Sequence, residues 1–174
     1  MHPDALAYLK WYHETNIWKR VAYRGVRTLK LPSDMWNYQE IIFSHQVDWV
    51  IETGSRHGGS AIFFADLLRN MGRPGKVFSV DYAPELDPRA KADADVQFIT
   101  GDSADPAIID RVMAQIPEQR RNLFLILDSD HSARHVKREL DAWIPRLRSG
   151  DYVLVEDTVV NGNPVRPQHG PGPL

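Results

Sequence analysis

The sequence contains no cysteine. Disulfides, thiolate zinc sites, iron–sulfur clusters and cysteine nucleophiles are therefore excluded together, and the composition fits a reducing compartment such as the cytoplasm. There is no excess of positive charge: 21 Lys and Arg stand against 23 Asp and Glu, a net charge of −2. Without a basic run the chain has no footprint for generic phosphate-backbone binding, so nucleic acid is not an expected partner. No apolar stretch approaches the ~18 residues of a membrane span, and the N-terminus, MHPDALAYLKWYHE, has no signal-peptide core. Internal repeats and low-complexity segments are also missing. What is present is 174 residues, 43% of them hydrophobic, which is enough for one domain with a sizeable core.

Residues 3–15 carry a loose helical pattern through Leu6, Leu9 and Tyr12, and Pro3 suits a first helical turn. Tyr23-Arg24-Gly25-Val26 reads as a turn and Arg27 to Leu31 as a short alternating strand. A helix then starts at Pro32-Ser33-Asp34, with Ser33 as N-cap, Asp34 at the positive end of the helix dipole, and Trp36, Ile41 and Ile42 on its apolar face. From Asp48 the rhythm changes. Strands are predicted at Trp49–Glu52, Lys76–Val80, Val96–Ile99, Asn122–Leu127 and Asp151–Val155, and helices at Gly59–Asn70, Asp105–Ala114 and Ala133–Trp143. Turn signals fall between them at Gly72-Arg73-Pro74-Gly75, Asp87-Pro88, Pro117 and Ser149-Gly150. Short apolar strands alternating with helices specify an α/β fold, a doubly wound, mostly parallel Rossmann-like sheet covered on both faces. The expected division is a helical, substrate-lid segment over 1–47, a core over 48–160 and a Pro/Gly-rich tail over 161–174.

In such a sheet ligands bind beyond the carboxyl ends of the strands. The first strand ends in Glu52-Thr53-Gly54-Ser55-Arg56-His57-Gly58-Gly59-Ser60. The glycines let a ligand approach the backbone, and the helix that follows offers free N–H donors. The spacing is not that of the dinucleotide fingerprint, and Glu52 would repel a pyrophosphate. A carboxylate there suits a cationic, hydroxyl-rich ligand without phosphate, of which S-adenosylmethionine is one. Asp81, ending the second strand, is placed to grip ribose hydroxyls. Asp102, after the third, can reach an adenine amino group or cap the next helix.

The fourth strand ends in Leu127-Asp128-Ser129-Asp130-His131 and the fifth in Val155-Glu156-Asp157-Thr158. Adjacent strands bring their ends within about 5 Å, so several carboxylates meet where they cannot all stay ionised without a cation. A hard, oxygen-rich Mg²⁺ site resolves the conflict. Two ligand triads are open: Asp130, Glu156 and Asp157, which we favour, or the same set with Asp128 in place of Asp130. Asp128 is then left to the cofactor side. His131 is placed to act as general base beside the ion, with Asp130, while His57 and His135 are weaker candidates. Trp11, Trp18, Trp36, Tyr38 and Trp49 read as core, with Trp36 and Tyr38 also able to line a pocket.

Assembled, the motifs resemble a class I S-adenosylmethionine-dependent methyltransferase, and in particular the cephalosporin hydroxylase / rhamnosyl O-methyltransferase family. The segments that carry the resemblance are Leu31 to Glu40, Val50 to Ala61, Leu127 to Ser132, Val155 to Thr158 and Asn161 to Val165. It implies methyl transfer to a hydroxyl of a natural product or sugar, with S-adenosylmethionine and Mg²⁺ as cofactors. Glu52, Gly54, Ser60, Asp81, Asp102 and Asp128 would serve the cofactor; Asp130, Glu156 and Asp157 would serve the metal. No 2-His-1-carboxylate iron triad is recognisable, which favours methyl transfer over hydroxylation. The readable strands stop at five, short of the C-terminal hairpin of such enzymes. The fifth strand is then an apolar edge, which invites a homo-oligomer or a partner subunit. The alternative is a non-catalytic, truncated S-adenosylmethionine-binding module. A nicotinamide-dependent oxidoreductase is disfavoured by Glu52 and the absent fingerprint.

Overall fold

The computed structural model describes residues 2–159 and Val165. Helix α1 (Pro3–Glu14) and a 3₁₀ turn (Ile17–Arg20) lead into a two-residue hairpin, β1 (Ala22–Tyr23) with β2 (Val26–Arg27), and then helix α2 (Pro32–Ser44). The core follows as β3 (Val47–Thr53), α3 (Gly59–Asn70), β4 (Val77–Asp81), α4 (Pro88–Lys91), β5 (Val96–Thr100), α5 (Pro106–Met113), β6 (Asn122–Leu127), α6 (Ala133–Trp143), a second 3₁₀ turn (Ile144–Arg146) and β7 (Tyr152–Val155). The five core strands form one parallel sheet in the order β5-β4-β3-β6-β7. The order reverses at β3, and the ligand crevice of a doubly wound sheet opens at such a reversal. The expected α/β fold is borne out.

Alternation along the strands sends side chains to two separate cores. Val50, Phe124 and Ile126 pack with Tyr38 and Ile42 of α2 and with Phe64 and Leu68 of α3. Ile51, Leu123, Leu125 and Leu127 pack on the other face with Ile109 and Val112 of α5 and Trp143 of α6. Burial on both faces is why the strands read as apolar runs. β7 has a sheet neighbour on one side only among the described residues. The sequence-expected tail over 161–174, Val165 apart, lies outside the described residues.

Several local expectations need correction. The Arg27 to Leu31 strand does not form: pairing stops at Arg27, and Leu29 takes a left-handed φ of 58°. Leu31, not Ser33, caps α2, because Pro32 supplies the fixed φ of a first helical residue and needs no hydrogen-bond partner for its nitrogen. Trp36 is 73% exposed and Trp11 half exposed, so neither is core; Met35, Tyr38 and Ile42 take the inner face of α2. The Asp87-Pro88 turn signal opens the short helix α4, with Asp87 capping the N–H of Arg89.

Candidate active site

The strand ends open into one cavity of about 580 Å³. Its floor is the glycine turn after β3. Gly54 has φ +91°, and a Cβ there would lie 2.0 Å from the carbonyl oxygen of Asp128. A side chain is therefore excluded where β3 and β6 approach. Gly54 and Ser60 line the cavity, together with Asp81, Asp102, Asp128, Asp130, His131, Glu156 and Asp157. These carboxylates come from four different strand ends, brought to one mouth by the parallel register.

Glu52 behaves differently. It is fully buried beneath the turn and does not line the cavity. It accepts a hydrogen bond from Ser60 Oγ, and Ser79 Oγ lies 2.6 Å from its second oxygen. Burial raises its pKa, opposed by Lys30 and by the two serines. It shapes the glycine turn through Ser60 instead of presenting an oxygen to the crevice.

On the β4–β5 side the acids are satisfied locally. Asp81 accepts the N–H groups of Arg56 and Ala83, both at 2.8 Å. Asp102 accepts the N–H of Ala104 at 2.9 Å and a guanidinium N–H of Arg138 at 2.8 Å. These two partners hold its pKa below the ordinary carboxylate range. Asp102 thus takes the capping role that the sequence left open, while still facing the cavity.

On the β6–β7 side the acids are met by side chains from the N-terminal segment. The Lys30 ammonium contacts Asp128 Oδ2 and lies 3.2 Å from Glu156 Oε1. Tyr38 donates its hydroxyl proton to the same Glu156 oxygen. Burial pushes the Asp128 carboxyl well above its usual range, and Lys30 opposes that rise. Burial alone would depress the Lys30 ammonium, yet Asp128 and Glu156 lift it well above its ordinary value. Asp34, at the start of α2, also lines the cavity; burial and the neighbouring Glu156 push it up to about 6.

The two triads read from the sequence separate here. Asp128, His131 and Asp157 each offer a ligand atom within 4.8 Å of the others. His131 Nε2 lies 3.1 Å from Asp157 Oδ2. Asp157 adopts a left-handed φ of 53°, a conformation that is costly for a non-glycine residue and recurs at functional sites. Asp130 is exposed and its Oδ1 accepts the N–H of Ser132 at 2.9 Å, so it caps the turn into α6. It lies on the cavity rim but outside the convergent group. Glu156 is engaged by Lys30 and Tyr38 through one oxygen.

Sequence reasoning missed most of the N-terminal wall: Tyr12, Trp18, Thr28, Lys30 and Asp34 line the cavity, whereas Trp36 and Tyr38 do not. Lys30 lies in the Arg27 to Leu31 segment, whose alternation reads as a strand, and pairing ends at Arg27. His135 sits near Ser103 Oγ at 3.3 Å and Glu139 at 3.6 Å, a hydrogen-bonded histidine, and His57 Nδ1 lies 3.2 Å from the carbonyl oxygen of Glu85.

Comparison with known proteins gives these features a family. The model of the rhamnosyl O-methyltransferase/CmcI family matches residues 15–174. A rhamnosyl O-methyltransferase of Mycobacterium tuberculosis (strain ATCC 25618 / H37Rv) is 47% identical over 173 residues, covering 98% of this chain and 71% of that protein. The rhamnosyl O-methyltransferase of Mycobacterium leprae (strain TN) is 45% identical over 98% of this chain and 75% of its own. Among solved structures, CmcI with Mg and SAM superposes with a TM-score of 0.65 at 22% identity, over 81% of this chain and 59% of that one. MycE methyltransferase from the mycinamycin biosynthetic pathway, in complex with Mg and SAH, superposes with a TM-score of 0.59 at 20% identity, over 99% of this chain and 40% of that one. These two likenesses establish a shared fold. Through the family match and the identity to its relatives, the chain belongs to the rhamnosyl O-methyltransferase/CmcI family and is an O-methyltransferase, as its motifs implied.

Proposed function

We propose that this enzyme transfers the methyl group of S-adenosylmethionine to a hydroxyl of a small natural product or sugar, with Mg²⁺ assisting. The reading rests above all on one observation: a single cavity joins the glycine turn, the ribose-side acid Asp81 and the convergent group Asp128, His131 and Asp157. S-adenosylmethionine and Mg²⁺ are its cofactors, the pair held by the CmcI structure.

The site suits both. The glycine turn puts backbone directly on the cavity at Gly54 and Ser55, and no basic cluster there calls for a phosphate. For the metal, Asp128 and Asp157 supply hard oxygens, with the second oxygen of Glu156 in reserve. This set replaces Asp130 by Asp128. When bound, the ion would supply the positive charge that makes an acceptor hydroxyl more acidic. His131, oriented by Asp157, receives the proton of that hydroxyl. The acceptor oxygen forms a bond to the methyl carbon as the carbon–sulfur bond breaks, and the electron pair stays on sulfur to give neutral S-adenosylhomocysteine. Alignment of oxygen, methyl and sulfur supplies most of the rate, up to ~7–11 kcal/mol in well-oriented systems.

The wall made by Tyr12, Trp18 and Asp34 supports residues 1–47 as the acceptor-side lid. Hydroxyl-rich acceptors suit the Asp34 carboxylate and the adjacent rings. No helix among the described residues is long and apolar enough to cross a membrane, and a cysteine-free chain suits the cytoplasm. Self-association through the β7 edge belongs to the same reading and is checked by light scattering. The decisive experiment is titration calorimetry with S-adenosylmethionine beside a methyl-transfer assay on a panel of glycosides and phenols, with and without chelator. Binding with turnover that chelator abolishes supports the reading. Binding without turnover on any acceptor overturns it in favour of a non-catalytic binding module.

A further inference from the structure

Lys30 has no part in the chemistry above, yet its placement is unusual. Its side chain is 4% exposed, and its ammonium sits 5.7 Å from the centre of the Tyr38 ring while touching Asp128 and Glu156. Its carbonyl oxygen accepts the Tyr12 hydroxyl at 2.8 Å, so the residue is fixed at both ends. Four carboxylates line this part of the cavity: Asp34, Asp128, Glu156 and Asp157. Of the described cavity-lining residues only Lys30 and Arg56 carry a permanent positive charge, and Arg56 pairs with Glu85 at 3.0 Å. A lysine taken out of water and set among acids is stable only while those acids answer it, and the reverse holds for the acids.

We propose that Lys30 is the resident counter-cation of the metal cradle: its ammonium takes one oxygen each of Asp128 and Glu156, ties the ends of β6 and β7 together without a divalent ion, and competes with that ion for the charge of the cradle. The inference rests on the reading of Asp128 and Asp157 as metal carboxylates. It makes the fold independent of metal, at the cost of affinity for it. It also gives the N-terminal segment, which carries Lys30, a direct hold on the catalytic end of the sheet.

The test uses Lys30→Met, which keeps the unbranched stem as far as Cε and removes the ammonium and its charge. In chelator this variant melts about 6–12 °C below wild type, since breaking a buried pair is strongly destabilising in a chain of this size. Mg²⁺ restores more than half of that loss, and calorimetry shows Mg²⁺ binding about tenfold tighter than in wild type. Lys30→Met melting with wild type in chelator, or binding Mg²⁺ no more tightly, overturns the proposal. If Lys30→Met does not fold, the double variant Lys30→Met/Asp128→Asn, which removes both charges, is expected to fold in chelator; failure of the double variant also overturns it. Absence of Mg²⁺ uptake by wild type overturns the cradle reading and the competition with it, whereas tight wild-type uptake without any gain in Lys30→Met leaves the cradle standing and removes Lys30 from it.

Discussion

The rim of the sheet has two halves built from the same residue types and wired in opposite ways. At the ends of β4 and β5, Asp81 and Asp102 spend their oxygens on nearby backbone N–H groups and on Arg138. At the ends of β6 and β7, Asp128, Glu156 and Asp157 are answered by side chains: Lys30 and His131, which line the cavity, and Tyr38 from the core beneath it. The pKa directions follow: Asp102 is held below the ordinary range by its hydrogen bonds, while Asp128 is driven above it by burial. An acid bound by its own loop gives shape to a site. An acid left among other acids stores a charge conflict, which a cation or a transferred proton can relieve.

The contrast is broken most severely at Asp128. We expect Asp128→Asn and Asp157→Asn to lower methyl transfer by two to three orders of magnitude, roughly 3–4 kcal/mol of transition-state stabilisation. Asp130→Asn, by comparison, should stay within about threefold of wild type, because its carboxylate caps Ser132. Steady-state rates at saturating S-adenosylmethionine decide; equal losses at Asp128 and Asp130 would erase the distinction between the two triads. Next in size is Gly54→Ala. The added methyl meets the Asp128 backbone at 2.0 Å with φ at +91°, so we expect a loss of about 2–3 kcal/mol in urea unfolding, with weaker cofactor binding. A variant as stable as wild type would mean that the two strand ends can part without cost.

The same contrast marks what a sequence can disclose. The acids of both halves were found because each follows an apolar strand, and a parallel sheet must gather its strand ends. The β6 strand and the helices α3 and α6 were placed to the residue, since their boundaries coincide with a cap, a glycine or a charge. Lys30 and Asp34 were not found. They come to the cavity through the path of residues 28–34, and that path depends on a left-handed Leu29 and on the docking of α2 against β3 and β6. Neither leaves a periodic trace. The different surroundings of Asp128 and Asp130 were equally hidden, because the capping role of Asp130 is one local hydrogen bond, from the N–H of Ser132. Asp130, two positions before that N–H, suits a turn as well as a metal, and the sequence does not show which of the two its carboxylate serves.

Asp34 offers a milder perturbation of the crowded half. Its folded pKa of about 6 lies above the ordinary aspartate value of 3.8, chiefly through burial and then through Glu156. For an acid shifted upward, the stabilising contribution is complete below the unfolded pKa and is lost as pH rises through the folded one. In chelator, wild type should therefore lose stability between about pH 4 and pH 6 from this group, relative to Asp34→Asn, which cannot ionise. Allowing for the water the side chain still meets, the difference at pH 7 is about 1 kcal/mol in favour of the variant. Urea midpoints at pH 4 and pH 7 measure it. Parallel profiles for the two proteins would show that Asp34 ionises freely and that the carboxylates of this half do not share one field.

The smallest effect is expected where the acid is already satisfied. Arg138 and Asp102 are paired at 2.8 Å but both sides are substantially exposed, and exposed pairs contribute about 0.2–1 kcal/mol. Arg138→Ala leaves Asp102 its hydrogen bond from Ala104, so the loop after β5 keeps its shape. We expect only a slight fall in stability and a change of less than about threefold in the affinity for S-adenosylmethionine, with the stability loss shrinking in high salt as a surface pair should. A tenfold loss of affinity would place Arg138 in the cofactor site itself. The β4–β5 half would then depend on side-chain charge as the β6–β7 half does, and local backbone capping would no longer account for the difference between them.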